Sequence, residues 1–250
     1  MYLWRRRATP AWWAAHESTL RERFGPCVAI IEQPNRKTLQ IEITCESPKE
    51  LKEFGGDARK LPRDWLTRFA HQQKTKPLRI NRRELIIPAG AAFGTGEHAT
   101  TAMSLTMLKE VLRAGDSAVD LGTGSGILAL AAHLLGAKRV VAIDNDPIAI
   151  RTARENARRN RIRGVQFVLG DARRSPASER FDVLTANLFS ELLIEALPNW
   201  RPVLKENARL ILSGVLRNQE RDVVRALRAN GFRVIKVRRR GKWIAMLCSG

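Results

Sequence analysis

Apolar and polar positions fall into two regimes along the chain. Up to about residue 62 the apolar runs are short: Val28–Glu32 (VAIIE) and Thr38–Thr44 (TLQIEIT) alternate like half-buried strands around a turn at Pro34-Asn35-Arg36-Lys37. Trp12–Arg23 has the spacing of a helix, and Ser47-Pro48 opens a second, short one with Ser47 as N-cap and Pro48 in the first position. Two strands alone seldom form a stable sheet, so this module either leans on the rest or holds a further strand. Residues 63–88 read as a connector, with a helix over Asp64–His71, a polar stretch to Pro77 and a short strand at Glu84–Ile87.

From Ala89 on, strands and helices alternate. Helices are expected at His98–Arg113, 127–135, Pro147–Asn160, Glu191–Val203 and Gln219–Asn230, the last stopped by Gly231. Strands are expected at 117–121, Arg139–Ile143, Val165–Leu169, Phe181–Ala186 and Ala208–Leu212. Phe232–Val237 and Trp243–Cys248 then form a hairpin turning at Arg240-Gly241, which would add an antiparallel edge strand. Such alternation demands a parallel sheet with right-handed crossovers, whose ligands sit at the carboxyl ends of the strands.

The stretch Ala118–Gly126, AVDLGTGSG, is a buried strand breaking into a turn that opens a helix. Glycines there let backbone approach a ligand closely, and the helix start offers N–H groups. The spacing Gly122-x-Gly124-x-Gly126 departs from the G-x-G-x-x-G of dinucleotide binders, which favours a ligand without a pyrophosphate, its amino-acid end beside the glycines and Asp120. The next strand ends at Asp144, where a carboxylate can take both hydroxyls of a ribose, while Asp146 before Pro147 serves as cap of the following helix. Two further stretches belong to the same cleft. The glycine-rich segment Pro88–Thr101 leads into a helix, and Asn187 ends the fourth strand, with Ser190 as a competent cap for the helix beyond it.

Composition narrows the class without naming a ligand. The 250 residues are 44% hydrophobic, a globular composition, and no apolar run reaches the length of a bilayer-spanning helix. Cys27, Cys45 and Cys248 show no pairing pattern, as expected of reduced thiols in a cytoplasmic protein, and the four histidines show no metal-ligand spacing. The segment WRRRATPAWWAA is read as mature protein rather than a targeting signal. Lysine and arginine outnumber acids by 19, spread over both halves, a field that favours nucleic acid and the proteins bound to it.

AFGTGEHATT, VDLGTGSGILALAA, AIDNDP and ANL, with DWLTRF and KPLRI before them, together resemble the class I S-adenosylmethionine-dependent methyltransferases that modify the eleventh protein of the large ribosomal subunit. The resemblance implies an α/β fold: a doubly wound, mostly parallel seven-stranded Rossmann-like methyltransferase sheet over residues 89–250, joined by the 63–88 connector to a small N-terminal α+β module, 1–62, that recognises the substrate. It implies that S-adenosyl-L-methionine is bound by Thr101, Gly122, Asp144 and Asn187, with Phe93, Gly94, Thr95 and His98 in the loop that closes between cofactor and substrate; the reading of the glycine turn adds Asp120, Gly124 and Gly126 to the expected cofactor contacts. Asn187 and His98 are the catalytic candidates, the first to aim the amine and the second to accept its proton. No metal is expected. The partner is a ribosomal protein methylated on a lysine or N-terminal amine, with ribosomal RNA touched through the basic surface, by a cytoplasmic monomer away from membranes. Glu97 and Ala99 stand where the family has threonine and proline, and Asn207-Ala208 replaces a common Gly-Gly. RNA or small-molecule methylation on the same fold, methylation of electron-transfer flavoprotein β-subunit lysines, and cofactor binding without catalysis are the alternatives. Asn187-Leu188-Phe189 lacks the prolines and tyrosine of an Asn-Pro-Pro-Tyr platform for a planar base.

Overall fold

The computed structural model describes residues 1–32, 38–62, 76–88, 96, 98–174 and 179–250. The turn expected at 34–37, the helix expected at 64–71 and most of the glycine-rich stretch, with Phe93, Gly94 and Thr95, lie outside the described residues. The chain divides into two units, Met1–Arg68 and Phe69–Gly250.

In the first unit Tyr2–Ala8 (β1), Val28–Glu32 (β2), Leu39–Cys45 (β3) and Asp57–Lys60 (β4) form an antiparallel sheet in the order β2-β3-β1-β4. Two of these strands, β1 and β4, escape the apolar pattern. β1 reads YLWRRRA, yet Trp4 and Ala8 are buried, and the arginines between them alternate with the core. The sheet packs on helix α1, Pro10–Phe24, which starts as its sequence dictates: Thr9 accepts from the Trp12 amide at 3.2 Å and Pro10 fills the first position. Trp13, Leu20, Ile41, Ile43, Leu51 and Phe54 close this core. Trp12 stacks on His16 at 4.1 Å, and the Arg6 guanidinium lies over its ring at 4.3 Å. Ser47 caps the 3₁₀ turn Pro48–Phe54.

The described part of the second unit includes a small hairpin, Leu78–Ile80 (β5) and Arg83–Leu85 (β6), that buries Ile80 and Leu85. Helix α2, Ala99–Val111, follows. The main sheet alternates with helices: Ser117–Leu121 (β7), Ile127–Leu134 (α3), Arg139–Asp144 (β8), Pro147–Arg159 (α4), Val165–Leu169 (β9), Phe181–Asn187 (β10), Ser190–Ala196 (α5), Leu204–Leu216 (β11), Glu220–Ala229 (α6), Arg233–Arg240 (β12) and Trp243–Ser249 (β13). Its order is β12-β13-β11-β10-β7-β8-β9, with β7 to β11 parallel. Separate apolar cores cover its two faces, one with α2 and α3, the other with α5 and α6.

Three expectations need correction. The antiparallel strand is not at the edge: β13 pairs with β11 on one side and β12 on the other, because its run IAMLC is buried on both faces whereas β12 is basic and half-exposed. β11 runs well beyond 208–212, its start disguised by the polar Lys205-Glu206-Asn207; Asn207, at φ 61°, sits in the bulge between the Phe181–Leu204 and Val183–Arg209 pairings. The helix expected over Glu191–Val203 stops at Ala196 and continues as two 3₁₀ turns, each carrying a proline, Pro198 and Pro202, which cannot donate to a helix ladder.

Candidate active site

A cavity of about 440 Å³ opens at the carboxyl ends of β7, β8, β10 and β11, a size that suits a cofactor. Its floor is the turn after β7. The amides of Gly122 and Thr123 both donate to the Ile143 carbonyl at 2.9 Å, which ties the turn to β8. The Gly122, Gly124 and Gly126 residues take φ of 70°, 54° and 84°, a region that a side chain disfavours. At Gly122 there is a second reason, since a Cβ would stand 2.3 Å from the Leu188 side chain.

Asp144 closes this floor from the side. One carboxylate oxygen accepts from the Gly124 amide at 2.8 Å and the other from the Asp146 amide at 3.0 Å, so the group is oriented by backbone and has lone pairs left for hydroxyls. Asp146 takes the capping role expected of it, accepting from the Ile148 amide at 2.7 Å. Ser190 does not cap: it is the first residue of α5, with Phe189 as N-cap, and its hydroxyl donates to Glu191.

Asn187 ends β10 at the cavity wall. Its side-chain amide donates to the Thr101 hydroxyl at 3.4 Å, and the Leu188 amide that follows donates to the Ser213 carbonyl at 3.0 Å. Thr101 is fully buried in the first turn of α2. His98, the N-cap residue of α2, shares a 2.7 Å hydrogen bond with the Thr100 hydroxyl and meets the Trp243 ring edge-on at 5.2 Å. Burial, then the Lys242 charge, pushes the His98 pKa below its ordinary value, so the ring is neutral at pH 7.

Asp120 and Gly126, expected to touch the cofactor, do not line the cavity. Asp120 is 2% exposed beneath the turn, where it accepts from the Thr123 and Thr185 hydroxyls at 2.6 Å each. Burial outweighs those bonds and lifts its pKa to about 6. Gly126 faces α4, where a Cβ would come 3.0 Å from that of Ala153. Both hold the turn in shape from behind. The cavity also uses residues that motif reading missed. Leu188, Phe189, Leu192, Gly214 and Trp243 stand on the far wall. Only Gly214 had a local signal, a glycine inside a strand, which marks a bulge or a close approach.

The family model described as "Ribosomal protein L11 methyltransferase (PrmA)" matches residues 63–249. The chain belongs to this family. All the site residues named above fall inside the stretch matched to the ribosomal protein L11 methyltransferase family. Relatives of that name include one from Heliobacterium modesticaldum, 36% identical over 203 residues, or 74% of this chain and 63% of the relative. Another, from Thermus thermophilus, is 40% identical over 162 residues, 65% of this chain and 63% of the relative. The chain thus spans just under two thirds of these relatives' length. Among solved structures, a ribosomal protein L11 methylase from Lactobacillus delbrueckii subsp. bulgaricus superposes with a TM-score of 0.60 at 34% identity, covering 63% of this chain and 80% of that one. A methyltransferase from Aquifex aeolicus, at 22% identity and a TM-score of 0.52, shares the fold.

Proposed function

We propose that the protein is an S-adenosylmethionine-dependent methyltransferase whose acceptor is a lysine or N-terminal amine of a large-subunit ribosomal protein. The observation that carries this reading is the meeting, in one cavity, of the oriented Asp144 carboxylate, the bare glycine turn and the Asn187 amide in a chain of this family. The residues fit the cofactor. Asp144 suits the ribose hydroxyls, Gly122 and Gly124 leave backbone uncovered for the amino-acid end, Thr101 stands beside Asn187, and Ile127, Leu128 and Ala149 offer apolar wall. Phe93, Gly94 and Thr95 belong to the same reading as further residues expected to touch the cofactor. When bound, S-adenosylmethionine supplies an electrophilic methyl group on a sulfonium.

The chain's own task is then to present an amine. A lysine ammonium, with an ordinary pKa of about 10.4, has no lone pair, so it must lose a proton in a cleft that penalises its charge. Leu188, Phe189, Leu192 and Trp243 make that wall apolar. The Asn187 amide oxygen and neighbouring carbonyls accept the remaining N–H groups and aim the lone pair, which is worth orders of magnitude when the reacting atoms are held in line. His98, which lines the cavity beside Trp243, is the candidate to receive the proton. In this reading the enzyme works as a cytoplasmic monomer.

Incubation of the protein with methyl-labelled cofactor and separated fractions of ribosomal protein, free ribosomal RNA and electron-transfer flavoprotein tests the assignment. Label in one large-subunit ribosomal protein is expected. Label confined to RNA overturns the acceptor class, and label confined to flavoprotein overturns the substrate.

A further inference from the structure

The excess charge of the molecule is not placed at random. Between Arg217 and Lys242 stand ten lysines and arginines against two acids, Glu220 and Asp222, a net +8 of the total +19. This segment folds as a 3₁₀ turn, α6 and the edge strand β12, on the flank of the sheet next to β13. Arg217 of the 3₁₀ turn and Arg221, Arg225 and Arg228 of α6 recur three or four residues apart and line one side of a groove of about 620 Å³ with Glu220 and Val224. Arg239 of β12 is tied to Glu220, and Arg225 to Asp222, so both acids of the segment are already engaged. Among the described residues, Arg217, Arg221, Arg228, Arg233 and Arg240 have no carboxylate within ion-pair distance. The groove also adjoins the catalytic cavity. The Arg217 amide donates to the Lys242 carbonyl at 2.9 Å, and the Lys242 ammonium lies 5.7 Å from the ring centre of Trp243, which lines that cavity.

We propose that the α6–β12 flank binds the phosphate backbone of RNA, along a path that ends at the mouth of the methyl-transfer cavity. Eight of the ten cations in the segment are arginines, whose planar fork holds phosphate oxygens in pairs where lysine offers a point charge. The four-residue step from Arg221 to Arg225 spans about 6 Å of α6, near the spacing of successive phosphates along a strand. A membrane surface is disfavoured, because the apolar side of α6, Val223 and Leu227, is fully buried in the core and the one exposed large apolar side chain of the flank, Ile235 on β12, is too little to enter lipid. This deepens the proposed function and rests on it for the choice of ribosomal RNA; the binding itself can be measured without any methyl transfer.

Fluorescence anisotropy of the whole protein with a fluorescein-labelled ribosomal RNA hairpin tests this, over a salt series. The key comparison is R221E/R225E/R228E against R151E/R158E/R159E, which makes the same change in net charge on the exposed face of α4. At about 0.1 M salt the α6 triple variant should bind at least about tenfold more weakly, and its log–log salt slope should fall by about 2, while the α4 variant changes less than about threefold. If thermal unfolding shows the α6 variant destabilised, R221Q/R225Q/R228Q replaces it and should lose the same slope. Methylation of an isolated protein acceptor should be unchanged in the α6 variant. Equal weakening by the two triple variants, or none by the α6 set, overturns the proposal. So does displacement of the RNA by phosphatidylserine vesicles or polyglutamate at equal charge.

Discussion

Asn187 and Asp144 sit about the same cavity but carry different loads, and kinetics can separate them. Asp144 is oriented by the Gly124 and Asp146 amides, and in the proposed role its hydrogen bonds to the cofactor hydroxyls are bonds to a charged group, each worth roughly 1.5–3 kcal/mol, so Asp144→Ala should weaken cofactor affinity by about 10- to 100-fold in a calorimetric titration. Asn187→Ala should instead lower turnover by about 100-fold or more with affinity within about threefold, since it removes aim rather than adhesion. Equal turnover of variant and wild type would sink the role given to Asn187. Asp120 makes a pH prediction. In the folded state it keeps its proton up to about pH 6, against an ordinary value of 3.8. The folded protein therefore binds the extra proton between those values, and stability falls as pH rises through that window and stays lower above it. Asp120→Asn removes this dependence. From pH 4 to pH 7 the unfolding free energy of the variant, relative to wild type, should move by about 2 kcal/mol in the variant's favour, measured by denaturant titration.

At the level of elements, the joint between β10 and β11 is the point of tightest packing around the site. Gly214 has φ 89°, and a Cβ there would lie 2.2 Å from the Leu188 carbonyl oxygen, which is backbone and cannot swing aside. Gly214→Ala should thus cost well over the roughly 1 kcal/mol of a left-handed alanine and disturb Asn187 with it. Gly241→Ala, at φ 58° with open space around it, should cost only that 1 kcal/mol; thermal melts of the two variants check the contrast. The elements also show where sequence was a good guide. β7, α3, β8, α4 and β9 stand within a residue or so of expectation, because each has a clear apolar run or an amphipathic period with a marked boundary, such as the Asp146-Pro147 start of α4. β1 and β4 were illegible, since arginine-rich strands gain their place from a partner, Tyr2 to Ala8 against Leu39 to Cys45, rather than from their own pattern. The cavity floor was legible in Gly122, Gly124 and Asp144 through spacing. Its far wall was not: Trp243 comes 121 positions after Gly122 and reaches it only through the antiparallel insertion of β13. Asp120 and Gly126 stand behind the turn and not on the cavity wall, a distinction the motif does not make, because it names residues near a ligand without saying which of them face it.

On the scale of the whole molecule, each unit has a core of its own, Trp4, Leu20 and Ile43 in the first, and the two faces of the long sheet in the second. A protein beginning at Phe69 should accordingly fold and hold the cofactor with affinity within about threefold of the full chain, as two complete cores survive the cut. If residues 1–62 recognise the acceptor, the same fragment should lose methylation of the protein substrate. Retention of both activities would move recognition onto the second unit, and loss of cofactor binding would refute the independence of the folds. The order of the sheet has one more consequence, which concerns birth rather than operation. β13 fills the gap between β11 and β12 yet is made after both. While the chain is being synthesised from its N-terminus, β11 must wait with its flank open, and Trp243 has not yet reached the cavity. A polypeptide stalled before Trp243 is thus at once unable to close its active centre and left with a bare strand flank that recruits other chains, so the cell meets an incomplete copy as an aggregation hazard and not as a half-working enzyme.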